Sequence, residues 1–338
     1  MATIKQIAER CEVSPSTVSK ALNGAEDVSR STIIRIRKVA EEMGYTPNAA
    51  ARALKTSHSY CFGLLVADSV AGDMPNEFFS RIIVSFKRRS SELGYDLTSI
   101  NNHIGKRRID YAEHARYRNL DGILVVAGNE SDNLIIPKLV ETGIPVVCID
   151  YGIPGCGSIC SDNEQGMRDL VNYVIEQGHR RIAYIYGHDT LVTRTRIESF
   201  RATCAVHGIE VPPAYLVPSL YHVPARSEAA TRQLLSLPVP PSCILYPDDL
   251  SYIGGMNEME RRGGTMPLNI STAAYDGLGF SQAFHPKLTT IRQNSEAMGS
   301  CAAEELVRAI EAGANYDHRR ILIPGELLHG ETVRPFEE

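Results

Sequence analysis

The sequence predicts an all-helical N-terminal unit followed by an α/β core of two doubly wound lobes. Three observations carry this. Residues up to about 46 show helix caps and helical apolar spacing without a strand-like run. From Tyr60 onward, short apolar runs alternate with longer amphipathic ones, the pattern of parallel strands covered by helices on both faces. The apolar runs are also too many for one compact sheet, and the 338 residues leave room for two lobes.

In the N-terminal unit, Thr3 is placed to cap a first helix whose Ile4, Ile7 and Ala8 share one face. Ser14 caps a second, with Pro15 at the first position, where its missing N–H costs nothing. Val18, Ala21 and Leu22 face inward on that helix, leaving Ser16, Thr17, Ser19 and Lys20 outward, and Gly24 ends it. Ser29 caps a third helix running to about Met43, with Ile33, Ile36, Val39, Ala40 and Met43 as its stripe and Gly44 as its stop. Three helices in this order form a helix-turn-helix, which lays its second helix in the DNA major groove. Charge agrees. Residues 1–58 hold nine Lys+Arg and six Asp+Glu, a net of +3 against −5 for the whole chain, so the remainder carries −8. The basic part of an acidic protein is the part expected to meet phosphate. On the second helix, Pro15, Ser16 and Lys20 are the expected base readers, Lys20 as a donor to guanine. Thr3, Ser14, Thr17, Asn23 and Tyr45 are the expected phosphate contacts.

In the core, strands are predicted at Cys61–Val66, Tyr95–Ile100, Gly122–Val126, Pro145–Ile149, Arg181–Tyr186, Ser242–Tyr246 and Ile270–Ala274. Helices are predicted near 77–93, 131–142, 163–177, 194–207, 226–236, 250–262 and 295–312. Open α/β sheets bind ligands at the carboxyl ends of their strands, so the pocket is expected between the lobes. Asp68, Asp150, Asp248, Asp249 and Asp276 follow strands, Gln293 follows a short apolar run, and Arg196 stands near a helix start. Carboxylate, guanidinium and amide together suit a polyhydroxylated ligand. An Asp after a strand also caps helices; Asp162 is read as a cap, and Asp249 as either a cap at the head of the helix 250–262 or a ligand contact.

Other classes lack their parts. No Gly-x-Ser-x-Gly elbow, Walker loop or Gly-x-Gly-x-x-Gly occurs, so no enzymatic activity and no cofactor are expected. Eight scattered cysteines read as reduced, buried thiols. Cys156 and Cys160 lack partners at metal-ligand spacing, so no metal site is expected. No export signal and no apolar run long enough for a membrane span is visible, which predicts a cytoplasmic protein without membrane contact.

The segments Thr3-Ile4-Lys5-Gln6-Ile7-Ala8, Val13-Ser14-Pro15-Ser16-Thr17-Val18-Ser19 and Gly44-Tyr45-Thr46-Pro47-Asn48-Ala49-Ala50-Ala51-Arg52-Ala53-Leu54 closely resemble the marks of the lactose-repressor (LacI/GalR) family of bacterial transcription regulators. The resemblance implies a headpiece at 1–46, a hinge helix and linker at 47–58, and an effector-binding and dimerisation core at 59–338 with the fold of type I periplasmic binding proteins. It implies three lobe crossings, expected near Ser161, Thr290 and Arg320. The N-lobe is then about 60–160 and 291–320, the C-lobe about 161–290 and 321–338. The hinge, short and rich in alanine, is implied to order on DNA against its twin in the minor groove, through Asn48, Ala51, Arg52, Leu54 and Lys55, with Leu54 as the kinking wedge. Family effector contacts match at Asp150, Arg196, Tyr221, Asp276 and Gln293; Asp248 departs, since many relatives carry Asn there. The implied protein is a homodimeric repressor of a palindromic operator, controlled by a small effector, by default a carbohydrate. A purine is the alternative, disfavoured by Thr190 and Val192 where a polar set is expected. A transport-type sugar-binding protein is disfavoured by the intact headpiece.

Overall fold

The computed structural model describes residues 2–22, 27–45, 58–66, 77–126, 135–263 and 270–336. The chain divides into two compact units, Met1–Ser59 and Tyr60–Glu338.

In the first unit, α1 (Ile4–Arg10), α2 (Pro15–Leu22) and α3 (Arg30–Glu42) each begin at a hydroxyl cap. Gln6 N donates to Thr3 Oγ1 at 3.4 Å while Thr3 N donates back to Gln6 Oε1 at 2.9 Å, closing a capping box. Ser14 Oγ accepts from Thr17 N at 3.1 Å, and Ser29 Oγ from Thr32 N at 3.3 Å. Gly44, at φ +60°, takes the left-handed stop after α3 at no steric cost. Ile7, Ala8, Val18, Ala21, Ile36 and Ala40 form the shared core, with Ile33, Val39 and Met43 partly buried at its margin.

The second unit holds two six-stranded sheets and a small hairpin of β3 (His103–Ile104) and β4 (Arg107–Arg108). The first large sheet is built from β1 (Cys61–Val66), β2 (Asp96–Ser99), β5 (Gly122–Val126), β6 (Val146–Ile149), β7 (Gly157–Ser161) and β13 (Arg320–Ile323). Its order is β13-β7-β6-β5-β1-β2, all parallel. The second is built from β8 (Ile182–Tyr186), β9 (Leu216–Pro218), β10 (Cys243–Leu245), β11 (Ser271–Asp276), β12 (Thr289–Arg292) and β14 (Glu326–Leu328). Its order is β14-β12-β11-β10-β8-β9, with only β14 antiparallel. Strands β5 and β6 are buried along their whole length, as helices on both faces of a sheet require. One face of the first sheet packs on α4 (Glu77–Glu92) and α11 (Ser295–Ala312) through Phe62, Leu124, Ile82, Phe86, Met298 and Leu306. Its other face packs on α5 (Tyr111–Tyr117) and α6 (Ile135–Val140). The second sheet is flanked by α7 (Asn163–Glu176) and α8 (Leu191–Val206) on one face, and by α9 (Pro224–Leu235) and α10 (Asp249–Arg261) on the other. Leu250 and Leu278 join the first sheet's core, so the two lobes share apolar contacts.

Several boundaries differ from expectation. The third crossing lies between Ile323 and Glu326, not near Arg320, because Arg320–Ile323 adds to the edge of the first sheet beside β7. Residues 321–323 therefore belong to the first lobe, and 291–292, the end of β12, to the second. An edge strand with alternating exposure carries no two-sided apolar run by which the sequence could announce it. The helix expected at 194–207 starts at Leu191, because Thr190 caps it through Thr193 N at 3.1 Å. Strand β7 and helix α5 were not expected. The first is rich in Gly, Ser and Cys, and the second is only seven residues long.

Candidate functional site

On α2 the inward face is Val18 and Ala21, which leaves Pro15, Ser16 and Lys20 exposed along the other side. Ser14 Oγ gathers the hydroxyls of Ser16 at 2.7 Å and Thr17 at 2.8 Å. Lys20 Nζ is ion-paired with Asp27, whose carboxyl the lysine's hydrogen bond holds below its usual range. Thr3 is occupied as a cap, and Tyr45 packs half-buried on the headpiece core. Asn23 and the hinge residues Asn48, Ala51, Arg52, Leu54 and Lys55 lie outside the described residues, as does Asp68.

The second candidate site lies where β6, β7, β8, β11 and β12 end. Arg196, on the first turns of α8, is only 2% exposed. Its Nε donates to Asn163 Oδ1 at 2.7 Å and its Nη1 to the Pro247 carbonyl at 3.0 Å, while its guanidinium lies 3.5 Å from the Tyr275 ring centroid. Two of its three nitrogens are thus held by the protein, and the planar head is fixed.

Asp150 stands at φ +53° just past β6 and accepts from Ser161 N at 3.0 Å. Burial raises its pKa to about 6, against the opposing pull of the Ser161 amide and Arg196. Asp276, at φ +105° at the end of β11, accepts from Gln293 Nε2 at 2.6 Å, and Gln293 in turn accepts the Ser161 hydroxyl. One chain of polar groups therefore runs from Ser161 of the first lobe through Gln293 to Asp276 of the second. The Tyr221 ring lies over Gly187, where any Cβ would meet it at 2.2 Å, and its hydroxyl meets Thr193 Oγ1 at 2.9 Å. Asp150, Arg196, Tyr221, Asp276 and Gln293 thus share one neighbourhood, joined through Asn163, Ser161, Thr193 and Tyr275.

Sequence reasoning missed His222. It sits at φ +59°, its backbone N–H donates to Asp248 Oδ2 at 3.0 Å, and its Nε2 is 3.7 Å from Asp276 Oδ2. Burial pulls its pKa down, but the carboxylates of Asp248 and Asp276 outweigh this and leave it raised. Its place next to Tyr221 was the only available signal.

Asp249 is a correction. Asp248, not Asp249, caps α10, accepting from Ser251 N at 2.8 Å. Asp249 is fully buried and accepts from Leu278 N at 2.7 Å, Ser281 Oγ at 2.6 Å and Thr290 Oγ1 at 2.7 Å. It brackets the β11–β12 connection with three donors on its two oxygens. Asp162 caps α7 through Gln165 N at 2.9 Å. His179 is a buried strut between Ser242 Oγ at 3.0 Å and the Arg334 carbonyl at 3.1 Å. Among the described residues, no three His, Cys, Asp or Glu side chains form a group that could hold a metal, and no helix is long and apolar enough to cross a membrane.

Comparisons with known proteins agree with the helical N-terminal unit and the two-sheet core. Residues 3–48 match the model for bacterial regulatory proteins of the lacI family, and residues 171–333 match the periplasmic binding protein-like domain. A probable HTH-type transcriptional repressor, ExuR of Bacillus subtilis, is 31% identical over 99% of both chains. The chain belongs to the lacI family. Another of its members, the HTH-type transcriptional repressor PurR of Photobacterium profundum, is 28% identical, again over 99% of each chain. The lac repressor dimer, solved on its operator with the anti-inducer ONPF, shares the fold at a TM-score of 0.77 and 22% identity, over 98% of this chain and 99% of that one. As a lacI-family protein, this chain is a DNA-binding regulator of transcription.

Proposed function

We propose that the protein is a cytoplasmic homodimeric repressor that binds a palindromic operator and is released or engaged by a small hydroxylated effector, a sugar or sugar derivative, held between the lobes. The observation that carries the effector class is the fixed guanidinium of Arg196, stacked on Tyr275, in one neighbourhood with the carboxylates of Asp150 and Asp276 and the amide of Gln293. Rigid donors and acceptors at strand ends beside the Tyr221 ring suit a ring with several hydroxyls, polar at its edge and apolar on its face. On the DNA side, Pro15, Ser16 and Lys20 read bases, while Thr3, Ser14, Thr17, Asn23 and Tyr45 reach phosphates. Asn48, Ala51, Arg52, Leu54 and Lys55 enter the minor groove, with Leu54 as wedge. One headpiece reads few base pairs, so two are needed and the operator mirrors their symmetry.

No reaction is assigned to the protein, and no cofactor is needed for this function. Effector and operator affinities are reciprocally coupled through the two states of the core. The test is a thermal-shift screen of the full chain against sugars, sugar derivatives and nucleobases, since a specific ligand raises the melting temperature by linkage. Operator titrations with each hit follow. A sugar that moves both melting and operator midpoints supports the reading; a nucleobase that does so, with all sugars silent, replaces it with a purine-responsive regulator.

A further inference from the structure

We propose that Cys148 and Cys156 are a redox modification site, a dithiol that a hydroperoxide converts reversibly into a disulfide. Cys148 lies in β6, and Cys156 directly precedes β7, the next strand of the same sheet. Their sulfurs are 3.6 Å apart, in a cluster with Ile123, Val125, Ile136 and Leu139. Neither sulfur is placed to do other chemistry. Among the described residues they belong to no metal-binding group, and the interlobe site does not use them. Buried thiols otherwise behave as small apolar side chains; two in contact are a bond short of a disulfide.

The pair is asymmetric. The Cys148 S–H donates toward the Cys156 sulfur, which draws the Cys156 thiol down toward neutrality and pushes that of Cys148 up. Cys156, at the turn before β7 and beside the exposed Pro154, is the sulfur a peroxide reaches first and the attacking thiolate; Cys148, inside β6, is the resolving thiol. In the first step the Cys156 thiolate attacks one peroxide oxygen and the O–O bond breaks. Cys156 becomes a sulfenic acid, and the departing alkoxide takes a proton to leave as the alcohol, or as water for hydrogen peroxide. In the second, the Cys148 sulfur attacks the sulfenic sulfur, the S–S bond forms, and the hydroxyl leaves as water with the thiol proton. Two thiols are oxidised, one peroxide is reduced, and a dithiol reductant reverses the change.

Access comes from the turn above. Pro154 is exposed, Ile153 and Gly155 are half-buried, and the Cys156 sulfur lies 3.2 Å from the Ile153 carbonyl. Local opening of this short turn bares the sulfur without disturbing the sheet. Closing from 3.6 Å to a bond of about 2.0 Å falls to the Cys156 side, since β6 is paired on both edges by β5 and β7. The bridge closes a loop that contains Asp150, so oxidation ties down the segment that carries this cleft carboxylate.

The test treats the folded full-length protein with hydrogen peroxide, alkylates the remaining thiols and maps the peptides by mass spectrometry. Expected are a loss of two of the eight thiols, a Cys148–Cys156 cross-linked peptide, and recovery of both thiols with dithiothreitol. Cys148→Ser should instead accumulate a dimedone-reactive sulfenic acid at Cys156, and Cys156→Ser should slow thiol loss at Cys148 at least tenfold. If serine at either site prevents folding, judged by circular dichroism, alanine replaces it, and the wild-type peptide map decides alone if neither folds. A bridge between other cysteines, irreversible oxidation of Cys156 with Cys148 present, or eight intact thiols while a free dithiol peptide in the same tube is fully oxidised would each overturn the proposal.

Discussion

The guanidinium of Arg196 lies 3.5 Å from the centre of the Tyr275 ring and is tied at Nε to Asn163, so a cation is held in the second lobe with almost no exposure to solvent. Burying a charge this way is costly unless its hydrogen bonds are made. Arg196→Ala removes the donors that satisfy Asn163 Oδ1 and the Pro247 carbonyl, and is expected to lower stability by about 2–4 kcal/mol in urea unfolding. The remaining folded protein should bind operator like wild type but lose the response to any ligand found by the screen. Arg196→Lys keeps the charge without the planar fork and should recover stability in part but not the response. An unchanged ligand midpoint in either variant would remove Arg196 from the effector site.

The raised pKa of Asp150 gives a pH signature. Its folded value of about 6 lies above the ordinary carboxylate range. The folded state therefore holds this proton more tightly than the unfolded chain between about pH 4 and 6. The stability this contributes is full below about pH 4 and is lost as pH rises through about 6. Asp150→Asn has no proton to lose, and Asn tolerates the positive φ. The variant should gain on wild type between about pH 4.5 and 7.5 by on the order of 1–2 kcal/mol, a figure kept small because the side chain is only half-buried. Denaturant unfolding across that range reads it; parallel stability profiles for the two proteins would refute the assignment.

What the sequence made legible follows from how local each signal is. Caps such as Thr3 and Ser29 act on amides three residues away, and the two-sided apolar strands β5, β6 and β8 announce themselves in five or so consecutive residues. Residues such as Asp150 and Asp276 were visible because each stands at the end of such a run. The polar chain that joins them was not. Ser161 reaches Gln293 across 132 positions, and Asn163 reaches Arg196 across 33. Polar residues carry no periodicity to mark such partners. The bracketing role of Asp249 was hidden for the same reason, since its partners Ser281 and Thr290 lie 32 and 41 residues away.

The Lys20–Asp27 pair makes a prediction about DNA reading. Both side chains are substantially exposed, so the pair itself stabilises little, but it engages the ammonium group proposed to reach a guanine. Lys20→Ala should weaken the preferred half-site by roughly five- to a hundredfold and relax its consensus. Asp27→Ala frees Lys20 and should tighten operator binding while leaving the consensus intact. Binding-site selection with both variants checks this; the same consensus from Lys20→Ala would strike Lys20 from the base readers.

Asp249 separates structural from ligand-binding carboxylates at the lobe seam. Its two oxygens accept three donors, one of them the backbone N–H of Leu278, a residue that packs into the first lobe's core. Asp249→Ala leaves that N–H and the Thr290 hydroxyl buried without an acceptor, while the Ser281 hydroxyl turns to the Leu278 carbonyl at 2.9 Å, and about 2–4 kcal/mol of stability should be lost. Asp249→Asn should lose less, because its Oδ1 can still accept from Leu278 N and Ser281 while its amide nitrogen donates to the Thr290 hydroxyl oxygen. Asp276→Asn keeps an acceptor for Gln293 and should cost far less, yet should weaken a hydroxylated ligand, whose hydroxyl donors then face an amide rather than a carboxylate. Thermal unfolding and ligand titration of the three variants give the comparison. If Asp249→Ala folds with wild-type stability and shifts only the ligand midpoint, the carboxylate is a ligand contact after all and the bracket between β11 and β12 is held by other groups.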